Sequence, residues 1–420
     1  MKTVACIGVG NRGSKYLLEL NIFHKKEIKP VAICDIKPEK LVRFGKKYKI
    51  AEDMRFQNDD AFFDKGVLAD GLIISTPDKE HFRHAKRAIE VGYKTILLEK
   101  PVSKYIEETK EIARLADEYG AKVVVCHVLR YSNYYLTLKN AVESGALGRV
   151  ISVEQRENVG YFHFAHSYVR GEWHNEADSS PSILAKCCHD LDLIYWFAGA
   201  KPVSVDSYGN LFYFNKDNAP EGATEFCMQG CKCQHKCPYD AEAFYITDNV
   251  FKAKFIKYMP TTVFGKPNPT RKEKREILRS GDYGKCVFLN NNDVCDHQEV
   301  NVLFDNGVSG RLTMTAFGER CERETRIVGT KGEVVARHGK IILEQYGIKR
   351  KVLKRDLLSV LGHIEGDIRT VHSFASLLTR AAAMPCLRYS GSTSMPICHM
   401  LSQSMLHPAS PISLSPSYAP

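Results

Sequence analysis

Residues 3 to 8 (Thr-Val-Ala-Cys-Ile-Gly) form an apolar run, and after a glycine-rich turn Tyr16, Leu17, Leu18 and Leu20 recur with helical spacing. The pattern predicts strand, turn, helix. Further β-like runs fit residues 30–34, 69–75, 94–98 and 122–127, and amphipathic segments near 79–91 and 104–119 alternate with them. Alternation of this kind predicts an α/β fold with a parallel, doubly wound sheet. Later the period shortens. Residues 298–315, 324–336 and 340–346 read as strands punctuated by Asp305-Asn306-Gly307 and Gly329-Thr330-Lys331-Gly332, before a helical pattern returns from Gly366 to Thr379.

The chain has 420 residues, 44% hydrophobic and 26% charged, more than one core needs, so two domains are expected. No stretch of 18 uncharged apolar residues occurs and the first residues carry no secretory pattern, which predicts a soluble, cytoplasmic protein without membrane contact. Fourteen cysteines then read as thiols or metal ligands before disulfides. The net charge of +10 permits anionic ligands without requiring nucleic acid. Residues 266–285 mix seven bases with Glu273 and Glu276, the pattern of a solvated helix rather than a nucleic-acid patch.

The first turn is Gly8-Val9-Gly10-Asn11-Arg12-Gly13, and the second β-like run ends at Asp35, 22 residues beyond Gly13. This is close to a dinucleotide fingerprint: glycines let the backbone approach a pyrophosphate, and the helix amino terminus offers N–H groups and a positive dipole end. Gly8, Gly10, Asn11, Arg12 and Gly13 are therefore candidate cofactor residues. Asp35 accepts bonds from ribose hydroxyls and repels a 2′-phosphate, so NAD is expected over NADP, a preference tempered by Lys37. Ligands in such sheets bind at the carboxyl ends of the strands. Two of those ends carry Ser75-Thr76-Pro77-Asp78 with His81, and Glu99-Lys100-Pro101. A lysine at the end of an apolar strand is either exposed or used.

Two further segments concentrate chemistry. Residues 161–173 gather aromatic, imidazole and guanidinium groups, and on a helix His163, His166 and Arg170 share one face. Cys227, Cys231, Cys233 and Cys237 pack four thiols into eleven residues, which suggests soft-metal coordination although the spacing fits no standard zinc finger.

Taken together, the glycine loop, the Thr76-Pro77 run with His81, Glu99-Lys100-Pro101 and Cys188-His189-Asp190-Leu191-Asp192 resemble the Gfo/Idh/MocA family, named for glucose-fructose oxidoreductase, inositol dehydrogenase and rhizopine catabolism. The resemblance covers roughly residues 1–380. It implies a Rossmann domain over residues 1–128 and a substrate-binding α/β domain over 129–380, built on a large, mostly antiparallel open sheet that the later strands complete. Assembly through that sheet would give a homodimer or homotetramer. The implied reaction is hydride transfer between NAD or NADP and a small-molecule sugar or cyclic polyol.

Carried onto this chain, the resemblance places Ser75, Thr76, Pro77 and His81 beside the nicotinamide, with Glu99 and Lys100 at the reacting carbon. Lys100 and His189 are the expected catalytic pair, with Asp192 one helical turn on to orient the imidazole. His166, Arg170, Trp173 and Lys186 are expected at the substrate. The chain departs from the family in having Ala185 where an aspartate is common and Cys187 where a glycine is common, with Lys186 next to the missing acid. Some members carry a similar cysteine segment, here running into Cys237-Pro238-Tyr239, and a later cysteine resembling Cys286. That implies zinc or an iron–sulfur cluster on Cys227, Cys231, Cys237 and Cys286. Two other functions stay open: an NAD-dependent glycoside hydrolase that oxidises a ring carbon transiently, and a non-catalytic, nucleotide-bound sensor.

From residue 381 to 420 the only charged side chain is Arg388, among nine serines and six prolines. An irregular or disordered tail is expected there, and the abrupt change suggests an aberrant sequence.

Overall fold

The computed structural model describes residues 1–247, 260–266, 268–348, 350–355, 362–379 and 412–413. Six parallel strands come first: β1 (Lys2–Ile7), β2 (Ile28–Cys34), β3 (Arg55–Phe56), β4 (Gly71–Ile74), β5 (Thr95–Leu98) and β6 (Lys122–Val125). Their order is β3-β2-β1-β4-β5-β6. Helices α1 (Asn11–Phe23), α2 (Pro38–Tyr48), α3 (His81–Val91) and α4 (Ile106–Glu118) lie among them. Strand β1 is apolar from Val4 to Ile7 because both of its faces are covered there. Ala5 and Ile7 join a core with Phe62 and Ile89, while Val4 and Cys6 join another with Tyr16 and Leu17. The strand order reverses between β1 and β4, which opens a crevice at their carboxyl ends.

The second sheet contains β7 (Val150–Asn158), β8 (Pro202–Asn210), β9 (His297–Phe304), β10 (Ser309–Thr315), β11 (Glu322–Gly329), β12 (Gly332–Arg337), β13 (Lys340–Gln345), β14 (Lys351–Arg355) and the two-residue β15 (Ile412–Ser413). Its order is β14-β13-β12-β11-β7-β10-β9-β8-β15, antiparallel except for the β7–β10 pair. Here burial alternates: β7 buries Val153, Gln155 and Glu157 and exposes Glu154 and Arg156. The buried face packs on α5 (Asn133–Glu143) and α6 (Cys188–Ala198), forming a core with Leu138, Leu191, Ile194, Val300 and Leu312. The opposite face is open and carries charge pairs such as Arg311–Glu299 and Arg326–Glu333. In the basic segment, α7 (Arg271–Ser280) begins at a Thr270–Glu273 capping box and buries only Leu278.

Helix α8 (Gly362–Thr379) does not stay with the second sheet, as the expected boundary at residue 380 would have it. Its Val371, Phe374, Ala375 and Leu378 pack into the Rossmann core against Val4 and Tyr16. Apolar burial drives this return, and Asp367 fixes it by ion pairs to Arg12 and Lys15. In the tail, only Ile412–Ser413 are described, paired with Val205 and Ser204; the expected irregularity otherwise lies outside the described residues. Among those residues no helix is long and apolar enough to cross a membrane.

Candidate active site

Gly8 ends β1 with φ of +83°, and a Cβ there would stand 2.6 Å from the Ser75 carbonyl oxygen. A Cβ on Gly13 would stand 2.1 Å from the Gly8 carbonyl oxygen. Only glycine lets this loop nest against the end of β4, where the Ser75 hydroxyl donates to the Gly8 carbonyl at 2.8 Å. Gly10 is different: an added Cβ would meet nothing nearer than Lys40 Nζ at 4.0 Å. No side chain caps the α1 amino terminus beside it. An open glycine face at an uncapped helix start suits a pyrophosphate. At the end of β2, the Asp35 carboxylate accepts from the Lys37 backbone N–H and from Lys40 Nζ, both at 3.0 Å.

Asn11 and Arg12 are engaged elsewhere. The Asn11 amide donates to Thr262 Oγ1 at 3.1 Å. The Arg12 guanidinium forks between Glu99 Oε1 at 2.6 Å and the Asp367 carboxylate at 2.6 and 3.0 Å. Its donors bind two carboxylates in the protein, so its place is structural rather than on a phosphate. Burial pushes the Glu99 carboxyl up, but Arg12 and then Lys100 outweigh it and hold it down to about 2. Its other oxygen accepts the Lys100 backbone N–H at 3.0 Å, which anchors the residue whose side chain enters the crevice.

His81 ties the two strand ends together. One ring nitrogen lies 2.6 Å from the Pro101 carbonyl oxygen and the other 2.8 Å from that of Thr76. The Thr76 hydroxyl meets His84 Nδ1 at 3.0 Å, and the Lys100–Pro101 peptide is cis. Trp173, from the second domain, donates to Asp78 Oδ2 at 3.1 Å and closes this end of the crevice.

The facing wall is α6 and the turn before it. Lys100 Nζ donates to the Ala185 carbonyl at 2.6 Å, one residue before Lys186 and four before His189. The His189 ring sits 5.8 Å from that of His127, edge to face. Asp192 does not turn to His189: Arg130 holds its carboxylate bidentately at 2.5 and 2.6 Å. Because 127 and 130 are three apart, as are 189 and 192, this fork sets one imidazole against the other. His127, Cys188 and His189 also present three ligating atoms within 4.8 Å of one another. The Lys100 ammonium acts electrostatically on both His127 and Cys188, which disfavours a cation among them.

A carboxylate from the sheet stands beside Lys186, the residue after Ala185. Glu157 pairs with Lys186 at 3.6 Å and with Arg323 at 2.6 Å, and Arg323 also holds Asp190 at 2.8 Å. Gln155 donates to Asp190 at 2.9 Å, completing a buried network beneath the crevice. Burial raises the Glu157 carboxyl, opposed first by Arg323 and then by Lys186. His163 lies above this network, its titration lowered well below the usual range by burial and then by Lys186.

The shared face expected for His163, His166 and Arg170 does not form. A π-turn spans Ala165–Val169 and widens the helix between them. His166 meets the Tyr245 hydroxyl at 3.1 Å, and Arg170 donates to the Lys285 and Tyr239 carbonyls at 2.7 and 2.6 Å. Both belong to the cysteine-bearing lobe, away from Lys100. Sequence reasoning missed Glu157 and Gln155, although both occupy the core phase of a strand that otherwise alternates, which is a readable signal. It also missed His127, Arg130 and Arg323.

Residues 2–127 match the oxidoreductase family described by its NAD-binding Rossmann fold, and residues 139–356 match that family's C-terminal alpha/beta domain. A putative oxidoreductase of Bacillus subtilis, YteT, is 24% identical over 247 residues, 57% of each chain. The inositol 2-dehydrogenase of Salmonella paratyphi B is 26% identical over 204 residues, 48% of this chain and 56% of the relative. The chain thus spans little more than half the length of these curated relatives. Among solved structures, an oxidoreductase from Agrobacterium radiobacter in complex with NAD+, L-tartaric acid and magnesium superposes with a TM-score of 0.67 at 14% identity, covering 98% of both chains. The myo-inositol 2-dehydrogenase of Lactobacillus plantarum gives 0.65 at 15% identity over 99% of both. At these identities the likeness is one of fold.

Proposed function

The chain belongs to the oxidoreductase family that joins an NAD-binding Rossmann domain to a C-terminal alpha/beta domain, and on that premise we propose that it is an NAD-dependent dehydrogenase acting on a hydroxyl of a sugar or cyclic polyol. The observation that supports the reading is the hydrogen bond from Lys100 Nζ to the Ala185 carbonyl, which brings an ammonium to the turn before the helix that carries His189. The glycine loop, the uncapped α1 and Asp35 fit a dinucleotide, and relatives named as inositol dehydrogenases support a polyol. When bound, the nicotinamide accepts or returns a hydride at the carbinol carbon.

The remaining work falls to side chains. An ammonium carries three donors, of which the Ala185 carbonyl takes one, so Lys100 can also bond the reacting oxygen and stabilise its developing negative charge. His189 takes the hydroxyl proton as general base. Arg130 and Asp192 act through His189 by fixing its helix, so Asp192 is a positioning residue. Lys186 orients a second hydroxyl or a carboxylate, with Glu157 balancing its charge. Asp35 favours NAD, and Lys40 beside it is the group that would meet a 2′-phosphate.

The test is to denature the purified protein, identify the released nucleotide, and screen sugars and polyols for NADH formation with glycosides in parallel. NAD and net NADH from a polyol are expected. Glycoside cleavage without net NADH, or no nicotinamide binding, would overturn the reading.

A further inference from the structure

Outside the crevice, five cysteines gather in one lobe. Cys227, Cys231, Cys233, Cys237 and Cys286 line a single small cleft together with Arg170, Tyr239 and Phe288. An isolated antiparallel bridge between Phe226 and Lys285 brings the distant Cys286 into the set. Its backbone bonds, Cys227 N–H to Gly284 at 3.0 Å and Cys286 N–H to Glu225 at 2.7 Å, put both cysteines on the same side of the bridge. The loop carrying Cys231 and Cys237 folds over them through Lys232 N–H to Gly222 at 3.1 Å and Cys237 N–H to Cys233 at 2.9 Å. The Cys233 thiol is engaged with the backbone, donating to the Glu221 carbonyl at 3.3 Å. That leaves Cys227, Cys231, Cys237 and Cys286, all of them free thiols.

Arg170 supplies an independent observation. It is 2% exposed and lines the same cleft. Its acceptors are two backbone carbonyls and, at 3.6 Å, Cys227 Sγ, while its Nη1 has no hydrogen-bond partner. No carboxylate among the described residues forms an ion pair with it. A guanidinium stays charged when buried, so the fold sets a permanent cation beside thiols without a counter-ion. Four thiolates around a divalent cation carry a net double negative charge, half of which this arginine would offset while donating N–H to sulfur.

We propose that Cys227, Cys231, Cys237 and Cys286 form a metal centre for a single thiophilic divalent cation, with zinc as the expected occupant and Arg170 as the charge-balancing neighbour. Four sulfur ligands match the closed tetrahedral site of one zinc ion. Binding releases the four thiol protons to solvent, leaves every sulfur at its own oxidation level, and draws the sulfurs inward to tetrahedral contact with the metal at about 2.3 Å. The centre would pin the 227–237 loop to residue 286 and hold the lobe that carries His166 and Arg170.

The test uses the full chain purified without chelator. Elemental analysis should find about one zinc per chain, and exchange for cobalt should give the visible bands of tetrahedral thiolate coordination. Cys231→Ser and Cys286→Ser should each lower metal content about tenfold or more, whereas Cys233→Ser should keep it. If a ligand variant fails to fold, the metal content and cobalt spectrum of the wild-type chain decide. Iron accompanied by acid-labile sulfide would overturn the single-ion centre. Metal-free protein, whether its four thiols are freely reactive or paired as disulfides, would overturn the proposal altogether.

Discussion

An ammonium at the end of an apolar strand is costly unless its donors are used, and Lys100 is anchored by Glu99 at its backbone and by Ala185 at its tip. That cost narrowed the sequence reading to a lysine that is either exposed or used. Lys100→Met should lower turnover ~10²-fold or more and leave NAD affinity nearly unchanged, because the ammonium acts on the reacting oxygen rather than on the nucleotide. Steady-state kinetics beside a nucleotide titration check this; an equal loss of NAD affinity would move Lys100 into the cofactor site. At Asp35, replacement by alanine frees Lys40 from its partner, so Asp35→Ala should weaken NAD and strengthen NADP, as paired binding titrations would reveal. The fork from Arg130 to Asp192 was not legible, since 62 residues separate its members. The same holds for Arg12, whose partner Asp367 lies 355 residues away.

Among elements, periodicity revealed the Rossmann strands because both faces are buried, and it revealed α6 because Leu191, Leu193 and Ile194 mark a core helix. It misplaced residues 161–173: a π-turn changes the hydrogen-bond ladder without changing composition, so a regular 3.6 period puts His166 and Arg170 on the wrong face. It also assigned α8 to the wrong domain, because an apolar stripe reports that a helix is buried and not against what. Asp367→Asn should show where α8 belongs. The change leaves Arg12 and Lys15 without their shared carboxylate, and because Arg12 is 37% exposed the cost should be roughly 2–3 kcal/mol rather than that of a fully buried pair. Thermal melting should fall by several degrees. Unchanged melting would mean that α8 is held by its apolar face alone.

Across the whole molecule, several imidazoles are buried in neutral form. Burial, then Arg83, brings His84 from 6.5 down to about 4; burial, then Arg170, does the same for His166. Between those values the unfolded chain binds protons that the folded chain refuses, so stability is complete above pH 6.5 and falls as pH drops towards about 4. Each such group accounts for up to roughly 3 kcal/mol. Melting curves across this window should show the decline, and His84→Gln should flatten it. In the proposed reaction, hydride acceptor, ammonium and base would meet in one crevice between the two sheets. Its most direct measurement is isotopic: a polyol deuterated at the carbinol carbon, turned over with NAD, followed by isolation of the nucleotide. The account predicts one deuterium in each NADH formed by the wild-type chain and almost none formed by Lys100→Met. Deuterium retained in the product with NAD unchanged, or no transfer to nucleotide from any sugar or polyol, would contradict it.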